Sequence, residues 1–597
     1  MAKWMVAAKR ADFDQIAKKY GISPVMARIL RNRDLESDKE IRKFLYGTVQ
    51  DLYDPLLMKD MEKAAGIIES KIKQRKSIRV IGDYDVDGIC ASYLLLTGLR
   101  ALGAKVDVVI PHRMKDGYGL NDNLIKDALE AGIDTVITCD NGIAAAPQIH
   151  MAKENGMTVV VTDHHEVPYE ETDGKRVYLI PPADAVVDPK QEDCGYPFKQ
   201  ICGAVVAGKL VSVLLRSAGD LEQKAKLQEE LLVFGALATV CDVMELRDEN
   251  RIIVKEGLRL MAGTSNLGLK ALLMVNGIED TAAASGTLTP YHAGFVIGPC
   301  MNASGRLDTA ERALALFDCR EWSKAVNIAG DLKSLNDNRK MMTEQGVLEA
   351  VRQVENGGME TDKVLVIYLP DCHESLAGII AGRIREKYGK PAFVLTKGEE
   401  GIKGSGRSIE CYSMYEEMTA CRELFTKYGG HKMAAGLSLP DEASVDAFRT
   451  MLNENCKLTE EDFQEVVHID VAMPLAYADI GFVKGLALLE PFGVGNAKPV
   501  FARKNISLLS GRKLGKNRNV GKYKIAEEAG SRYEMVYFGD LEKFDSFLEE
   551  RFGQAKLAAL YGPGIEEGDA AISMVYYPDL NYYAGRESVQ IVMRDYC

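Results

Sequence analysis

The sequence predicts two α/β units joined by a long helix and followed by a small all-β module. Three observations carry this. From about residue 60 to 245, short β-rich runs alternate with segments of helical apolar spacing, the pattern of a parallel sheet covered by helices. Residues 320–357 read as one long, charge-rich helical segment, after which a second α/β unit opens at KVLVIYL and runs to about 455. Beyond about 465, short β-type runs alternate with Gly and charged turns. A chain of 597 residues is too long for one core, so several domains are expected. The expected divisions are a helical arm over 1–60, a first α/β unit over 61–320, a connecting helix over 321–358, a second unit over 359–460 and the β module over 461–597.

Taken in order, the first β-rich run is Ile78 to Ile81, which Gly82 ends. Asp83, Asp85 and Asp87 follow at alternate positions in DYDVDG. Alternate residues of an extended chain point the same way, so at least two of these acids can converge. Close carboxylates repel unless a cation sits between them. The segment ICASYLLLTGLRAL has helical spacing, and KVDVVI is the second run. The third run, DTVITC, leads into Asp140-Asn141-Gly142. After the helical APQIHMAKENG, the fourth run MTVVVT leads into Asp163-His164-His165-Glu166. Functional residues of such sheets gather at the carboxyl ends of the strands. Asp242, after the apolar run LLVFGALATVC, is read as a further strand end.

These four segments offer oxygen donors with one or two imidazoles and no thiolate, a set that suits Mn²⁺ or Mg²⁺ and can accept Zn²⁺. The supply is large enough for two cations sharing a bridging carboxylate, as in phosphoester hydrolysis. Each piece alone has an ordinary explanation: an Asp after a strand often caps a helix, and His-His is often a surface turn. Four coincidences together are hard to explain that way.

Composition narrows the class further. Apolar residues make up 47% and charged residues 27%, the balance of a globular protein. No apolar run approaches a membrane span and the N-terminus carries no signal pattern, so a cytoplasmic location without membrane association is expected. The 12 cysteines include no CxxC pair, which argues against zinc ribbons, iron–sulfur clusters and disulfide frameworks. The net charge of −13 leans against nucleic acid. Yet nine Lys or Arg face three Glu between Phe501 and Met535, a local excess of six positive charges. Interleaved there, Tyr523, Tyr533, Tyr537 and Phe538 suit base stacking as well as they suit a β core. In the second unit, Gly404-Ser405-Gly406-Arg407 offers amides, a hydroxyl and a cation to a phosphate, and Gly429-Gly430-His431 allows close backbone approach. Either Gly cluster also serves as a simple turn.

Asp163-His164-His165 after VVVT, with DYDVDG upstream, resembles the DHH phosphoesterase superfamily. More of the chain is similar to its RecJ-type members, the single-strand-specific 5′→3′ DNA exonucleases. The matching segments are RMKDGYGLN (113–121), ITCDNGI (137–143), ICGAVVAGKL (201–210), LATVCDVMEL (237–246), MNASGRLDTA (301–310), HESLAGIIAGRI (373–384), GSGRS (404–408) and GGHKMAAG (429–436). LEPFGVGNAKPVF (489–501) resembles the opening of the family's C-terminal OB-fold barrel. The resemblance spans the whole chain in the family's order. It implies a DHH unit, a DHHA1-like unit and an OB-fold.

The resemblance also implies roles. Asp85, Asp87, Asp140, His164 and Asp242 match the ligands of two Mn²⁺ or Mg²⁺ ions, with Asp140 as the bridge. Asp83 and Asp163 match acids that stand behind the ligands and orient them, and His165 matches a residue that contacts the scissile phosphate or helps the leaving group. Arg113, Ser405 and Arg407 match groups that hold the 5′ phosphate end, for which a guanidinium fork is suited. Asn302 and Arg306 belong to a motif facing the same cleft, and His373, Gly430 and His431 to segments near nucleic acid. Two departures stand out: Cys300 occupies a position where the family usually has Arg, and the family's WHxG reads Cys372-His373-Glu374-Ser375.

The implied activity is degradation of single-stranded DNA to mononucleotides from the 5′ end, in DNA repair and recombination, by a monomer fed by a helicase and a single-strand-binding protein. Two other readings stay open on the residues. One is a DHH phosphodiesterase for short oligoribonucleotides or cyclic dinucleotides, whose usual lack of a barrel contrasts with the segment after 465. The other is a non-catalytic nucleic-acid scaffold, against which the intact acids and histidines speak.

Overall fold

The computed structural model describes residues 2–113, 117, 119–172, 174–217, 221–278, 286–398, 401–527, 530–583 and 585–597. It divides into two units. One is Thr48–Phe463 with Gly493–Gly495, and the other is Met1–Gly47 with Gln464–Phe492 and Asn496–Cys597.

In the first, five parallel strands stand in the order Lys105–Val109, Ser77–Ile81, Thr135–Cys139, Thr158–Thr162 and Ala185–Val187. Thr135–Cys139 is buried throughout, as a central strand covered on both faces must be. The direction in which successive strands are added reverses between Ser77–Ile81 and Thr135–Cys139. Loops leaving these two neighbours diverge and open a crevice at their carboxyl ends. The helix Val86–Ala101 leaves the first of them and is buried on nearly every face, packed on the sheet and on the helices Gly203–Leu214 and Leu221–Cys241. The apolar run LLVFGALATVC is thus the end of a 21-residue helix, and Asp242 follows a helix rather than a strand. Apolar residues without clear periodicity describe a buried helix as well as a buried strand.

The 35-residue helix Trp322–Asn356 spans roughly 52 Å at the standard rise. Its first half contributes Ala325, Ala329 and Leu332 to the core of the parallel-sheet lobe, and its second half contributes Ala350 and Val354 to a core built on the second lobe. That lobe has a mixed sheet ordered Lys427–Gly430, Ala434–Leu439, Ile402–Arg407, Ala392–Lys397 and Leu365–Tyr368, with only the last pair parallel.

In the other unit, Phe501–Leu514, Val520–Ala526, Arg532–Tyr537, Arg586–Tyr596 and Ala571–Tyr583 pair in sequence, and the last pairs back onto the first to close a five-stranded barrel. Tyr523 and Tyr537 are buried in its core with Phe501, Phe544 and Tyr576 and present no stacking surface, whereas Phe538 is exposed. Lys3–Val6 pairs in parallel with Val466–Ile469, and the helices Pro24–Asn32 and Asp38–Tyr46 supply Leu30 and Phe44 to the barrel's core. Residues 1–60 are therefore not one arm, because the first 47 group with the barrel and the rest with the parallel-sheet unit. A four-residue strand whose partner lies over 400 positions away leaves no local signal. No helix among the described residues is long and apolar enough to cross a membrane.

Candidate active site

Three loops at the carboxyl end of the parallel sheet and the end of one helix meet at His164. Its Nε2 lies 3.1 Å from Asp140 Oδ1, 3.5 Å from Asp87 Oδ2 and 3.7 Å from Asp242 Oδ2. Asp83, Asp85 and Asp140 form a second close group, and Asp140, His164 and His165 a third. The structure thus brings together all eight residues of the expected catalytic set, and it gives Asp83 and His165 ligand-like positions beside those expected to hold metal.

Local chemistry fixes each side chain. Asp85 caps the helix Val86–Ala101, accepting from the amides of Asp87 at 2.9 Å and Gly88 at 3.1 Å. Asp87 accepts from Gly203 N at 2.6 Å and Ala204 N at 2.7 Å, the first amides of the helix Gly203–Leu214. A helix N-terminus favours such an anion. Gly203 also allows a close approach, since a Cβ there would stand 2.7 Å from Asp140 Cβ. Asp140 itself holds a left-handed backbone (φ 60°), as does Val243 beside Asp242 (φ 58°). Such strain in non-glycine residues is typical of functional sites. Asp163 accepts from Ile143 N at 2.9 Å, from His164 N at 2.7 Å and from His165 Nδ1 at 2.7 Å.

The electrostatics call for positive charge. Burial, reinforced by Asp85, pushes the Asp83 carboxyl up to about 7. Burial and the neighbouring carboxylates raise Asp85, Asp140 and Asp242 as well. Burial holds His164 below the ordinary imidazole value, against the pull of Asp87, and its ring nitrogens make no hydrogen bond among the described residues. A neutral imidazole aimed into converging carboxylates is the donor set a divalent cation fits. At His165 burial opposes protonation, but the Asp163 hydrogen bond together with the charges of Asp163, Asp242 and Asp87 outweighs it and raises the imidazole to about 9.

Beside this cluster lies a cavity of about 440 Å³ lined by Tyr84, Arg113, Ser375, Lys403, Ser405, Lys427 and Tyr428 among others, three cations against the single acid Glu374, which pairs with Lys403 at 3.0 Å. Arg113 sits 4.9 Å over the Tyr84 ring. Arg306 donates to Ser375 O at 2.8 Å, and Arg407 to Gly406 O at 2.7 Å. Burial lowers Arg306 to about 10, helped by repulsion from Arg113, Arg339 and Arg407, and it lowers Arg407 with help from Arg113 and Arg385. Guanidinium groups held against one another in this way invite a polyanion such as a phosphate.

Other expected residues stand elsewhere. His373 caps a short turn, its Nδ1 2.8 Å from Ser375 Oγ, and lines a different cavity with Met342 and Gln345. Gly429 lines the cavity at Arg113, whereas Gly430 and the exposed His431 do not. Cys300 is buried and turned toward Asn336 Nδ2 at 3.5 Å. Asn302 is half-buried on the helix Gly298–Leu307. Of the segment 113–121, residues 114–116 and 118 lie outside the described residues. Sequence reasoning missed Tyr84, Lys403, Lys427 and Tyr428 in the cavity. Tyr84 was signalled by its place between two clustered acids, but nothing local marks the other three.

Comparison with known proteins agrees with this arrangement. Residues 77–239 match the DHH family N-terminal domain, 361–458 the DHHA1 domain and 469–595 the RecJ OB domain. The chain is 34% identical to the single-stranded-DNA-specific exonuclease RecJ of Bacillus subtilis, over 99% of this chain and 70% of that protein. It is 32% identical to the protein of the same name from Haemophilus influenzae, over 83% of this chain and 86% of that one. Among solved structures, RecJ from Thermus thermophilus in complex with Mn²⁺ superposes with a TM-score of 0.79 at 27% identity, covering 100% of this chain and 79% of that one. An exonuclease RecJ bound to manganese gives 0.58 at 33% identity, covering 69% of this chain and 97% of the other.

Proposed function

Because the chain belongs to the RecJ family of single-stranded-DNA-specific exonucleases, we propose that it hydrolyses single-stranded DNA from the 5′ end, releasing mononucleotides. The observation that carries this reading is the juxtaposition of a carboxylate–imidazole cluster with a cavity lined by Arg113, Lys403 and Lys427, near which Arg306 and Arg407 feel the charge of Arg113. Asp85, Asp87, Asp140, His164 and Asp242 would hold two divalent cations, Mn²⁺ or Mg²⁺, with Asp83 close enough to share the load. Held there, the cations supply Lewis-acid stabilisation of the charge that develops on the scissile phosphate. Asp163 commits His165 Nδ1, so the other ring nitrogen addresses the scissile phosphate or gives a proton to the departing 3′ oxygen. Arg113, Arg306, Arg407 and Ser405 hold the terminal 5′ phosphate and set which bond reaches the acids. Phosphate contacts carry no base information, so sequence preference is slight. On the same reading the protein works in the cytoplasm as a monomer, in DNA repair and recombination, with a helicase and a single-strand-binding protein delivering the strand.

The test compares wild type with Asp140→Asn, the substitution best suited to a left-handed backbone. In Mn²⁺, wild type should release labelled mononucleotide at once from a 5′-labelled single strand and shorten a 3′-labelled one stepwise, leaving duplex intact. The variant should lose about 10²- to 10³-fold or more in rate, the scale for removing a group that stabilises developing charge, while still binding the strand. Turnover retained in the variant, or equal digestion of duplex, overturns the proposal.

A further inference from the structure

Two of the most exposed large apolar side chains among the described residues stand together on the segment that leads into the helix Gly298–Leu307. Tyr291 and Phe295 are 63% and 69% exposed, and their rings stack with centroids 5.5 Å apart and planes 17° from parallel. Phe295 lies on a π-helical turn, His292–Ile297, that runs straight into the helix Gly298–Leu307. Such turns are rare and concentrate at functional sites. This one packs against the last turn of the helix Leu221–Cys241: Cys241 Sγ donates to Ala293 O at 3.5 Å, and a Cβ on Gly294 would lie 3.3 Å from Val240 Cγ1. The next residue is Asp242. At the far end of Gly298–Leu307, a Cβ on Gly305 would stand 2.6 Å from Tyr84 O. One end of the element thus meets the turn before Asp242, and the other meets the loop that carries Asp83 and Asp85.

Its two most exposed positions head a stripe along one face. Tyr291, Phe295, Pro299, Asn302 and Arg306 follow one another at spacings of three or four and are each exposed or half-buried, with His292, Gly294, Val296 and Leu307 half-buried beside them, while Ala293, Ile297, Cys300, Met301 and Ala303 are buried. One continuous stripe thus leads from the guanidinium at Arg306, through an amide, to a pair of flat apolar rings roughly 16 Å along the axis. We propose that Tyr291 and Phe295 form a stacking platform for unpaired bases on the 3′ side of the scissile bond, and so help select single strands. The proposal rests on the exonuclease reading above. Base faces are covered on both sides in a duplex and open only in a single strand, and stacking on aromatic side chains tolerates any sequence. A patch meant for a protein partner would have no reason to continue the phosphate-binding stripe.

The test measures KM and kcat of the full-length enzyme on a 5′-phosphorylated single-stranded oligonucleotide. Arms are wild type, Tyr291→Ala/Phe295→Ala, the ring-preserving Tyr291→Phe, and Leu348→Ala as an exposed apolar control far along the long helix. Loss of base stacking is worth roughly 5- to 150-fold in affinity, so the double variant should raise KM about tenfold or more with kcat unchanged. Tyr291→Phe and the control should match wild type. In wild type, abasic residues placed one at a time should reproduce the KM increase at a position or two downstream of the terminal nucleotide, and should add nothing in the double variant. KM unchanged in the double variant, or no abasic position that matters in wild type, overturns the platform. The abasic arm stands even where the double variant fails to fold. Absence of any wild-type turnover on intact single strands instead overturns the exonuclease reading.

Discussion

Asp163 and His165 are locked together two residues apart: one carboxylate oxygen takes the imidazole Nδ1 at 2.7 Å and also accepts the amides of His164 and His165. The other oxygen takes Ile143 N. Every partner is a donor, so Asp163→Asn must turn an NH₂ against one of them. Groups that orient catalytic residues in this way are typically worth 10- to 100-fold. We expect kcat to fall by about that factor with KM for single-stranded DNA near wild type. A single-turnover assay beside a binding titration checks it, and an unchanged kcat would show that the lock is dispensable.

Gly203 is where the helix Gly203–Leu214 meets the acids. In Gly203→Ala the new Cβ would stand 2.7 Å from Asp140 Cβ and 2.9 Å from Oδ1, and the amide that Asp87 accepts would shift with it. Two acids move at once, so we expect Mn²⁺ to bind at least about tenfold more weakly in a protein that remains folded. Calorimetric Mn²⁺ titration and circular dichroism separate the two effects.

Arg407 lies on Gly378, whose missing side chain makes room for the guanidinium, 2.8 Å from where a Cβ would be. Arg407→Ala should raise KM about tenfold for 5′-phosphorylated substrate and much less for 5′-hydroxyl substrate. It should also reduce the slope of log KM against log salt by roughly one. An equal loss on both substrates would place the residue outside the terminal-phosphate pocket.

Asp188 is fully buried, and Oδ2 makes no hydrogen bond among the described residues. Burial, with the field of Asp163, pushes its carboxyl up to about 8. From about pH 4 to 8 the folded chain keeps this proton and the unfolded chain releases it, so the group's contribution to stability falls as pH rises through that window. Asp188→Asn cannot ionise. In urea melts with EDTA, its advantage over wild type should be near zero at acidic pH and grow to the order of a few kcal/mol above about pH 8. A difference independent of pH would refute the assignment.

Much of this was legible in the sequence because parallel sheets put their chemistry in short, contiguous loops. Asp83 to Asp87, Asp140 and Asp163 to His165 each follow an apolar run, and the fold needed only to set those runs side by side. Asp242 was found for the right reason of convergence but on the wrong element, since a buried helix and a buried strand share an apolar text. Tyr523 and Tyr537 misled because alternation marks which residues share a face, not which face is wet. The stripe from Tyr291 to Arg306 was invisible because a π-turn breaks the helical period partway along it.

The long helix Trp322–Asn356 has Ala329 sunk in one lobe's core and Ala350 in the other's. Neither lobe can drift without emptying a close-packed site. The interval between the cavity at Arg113 and the carboxylate cluster is therefore held by the frame of the two lobes. On the reading proposed above, a strand drawn through would meet the same interval at every step, so a uniform product length would follow from the frame rather than from any recognition of the base removed.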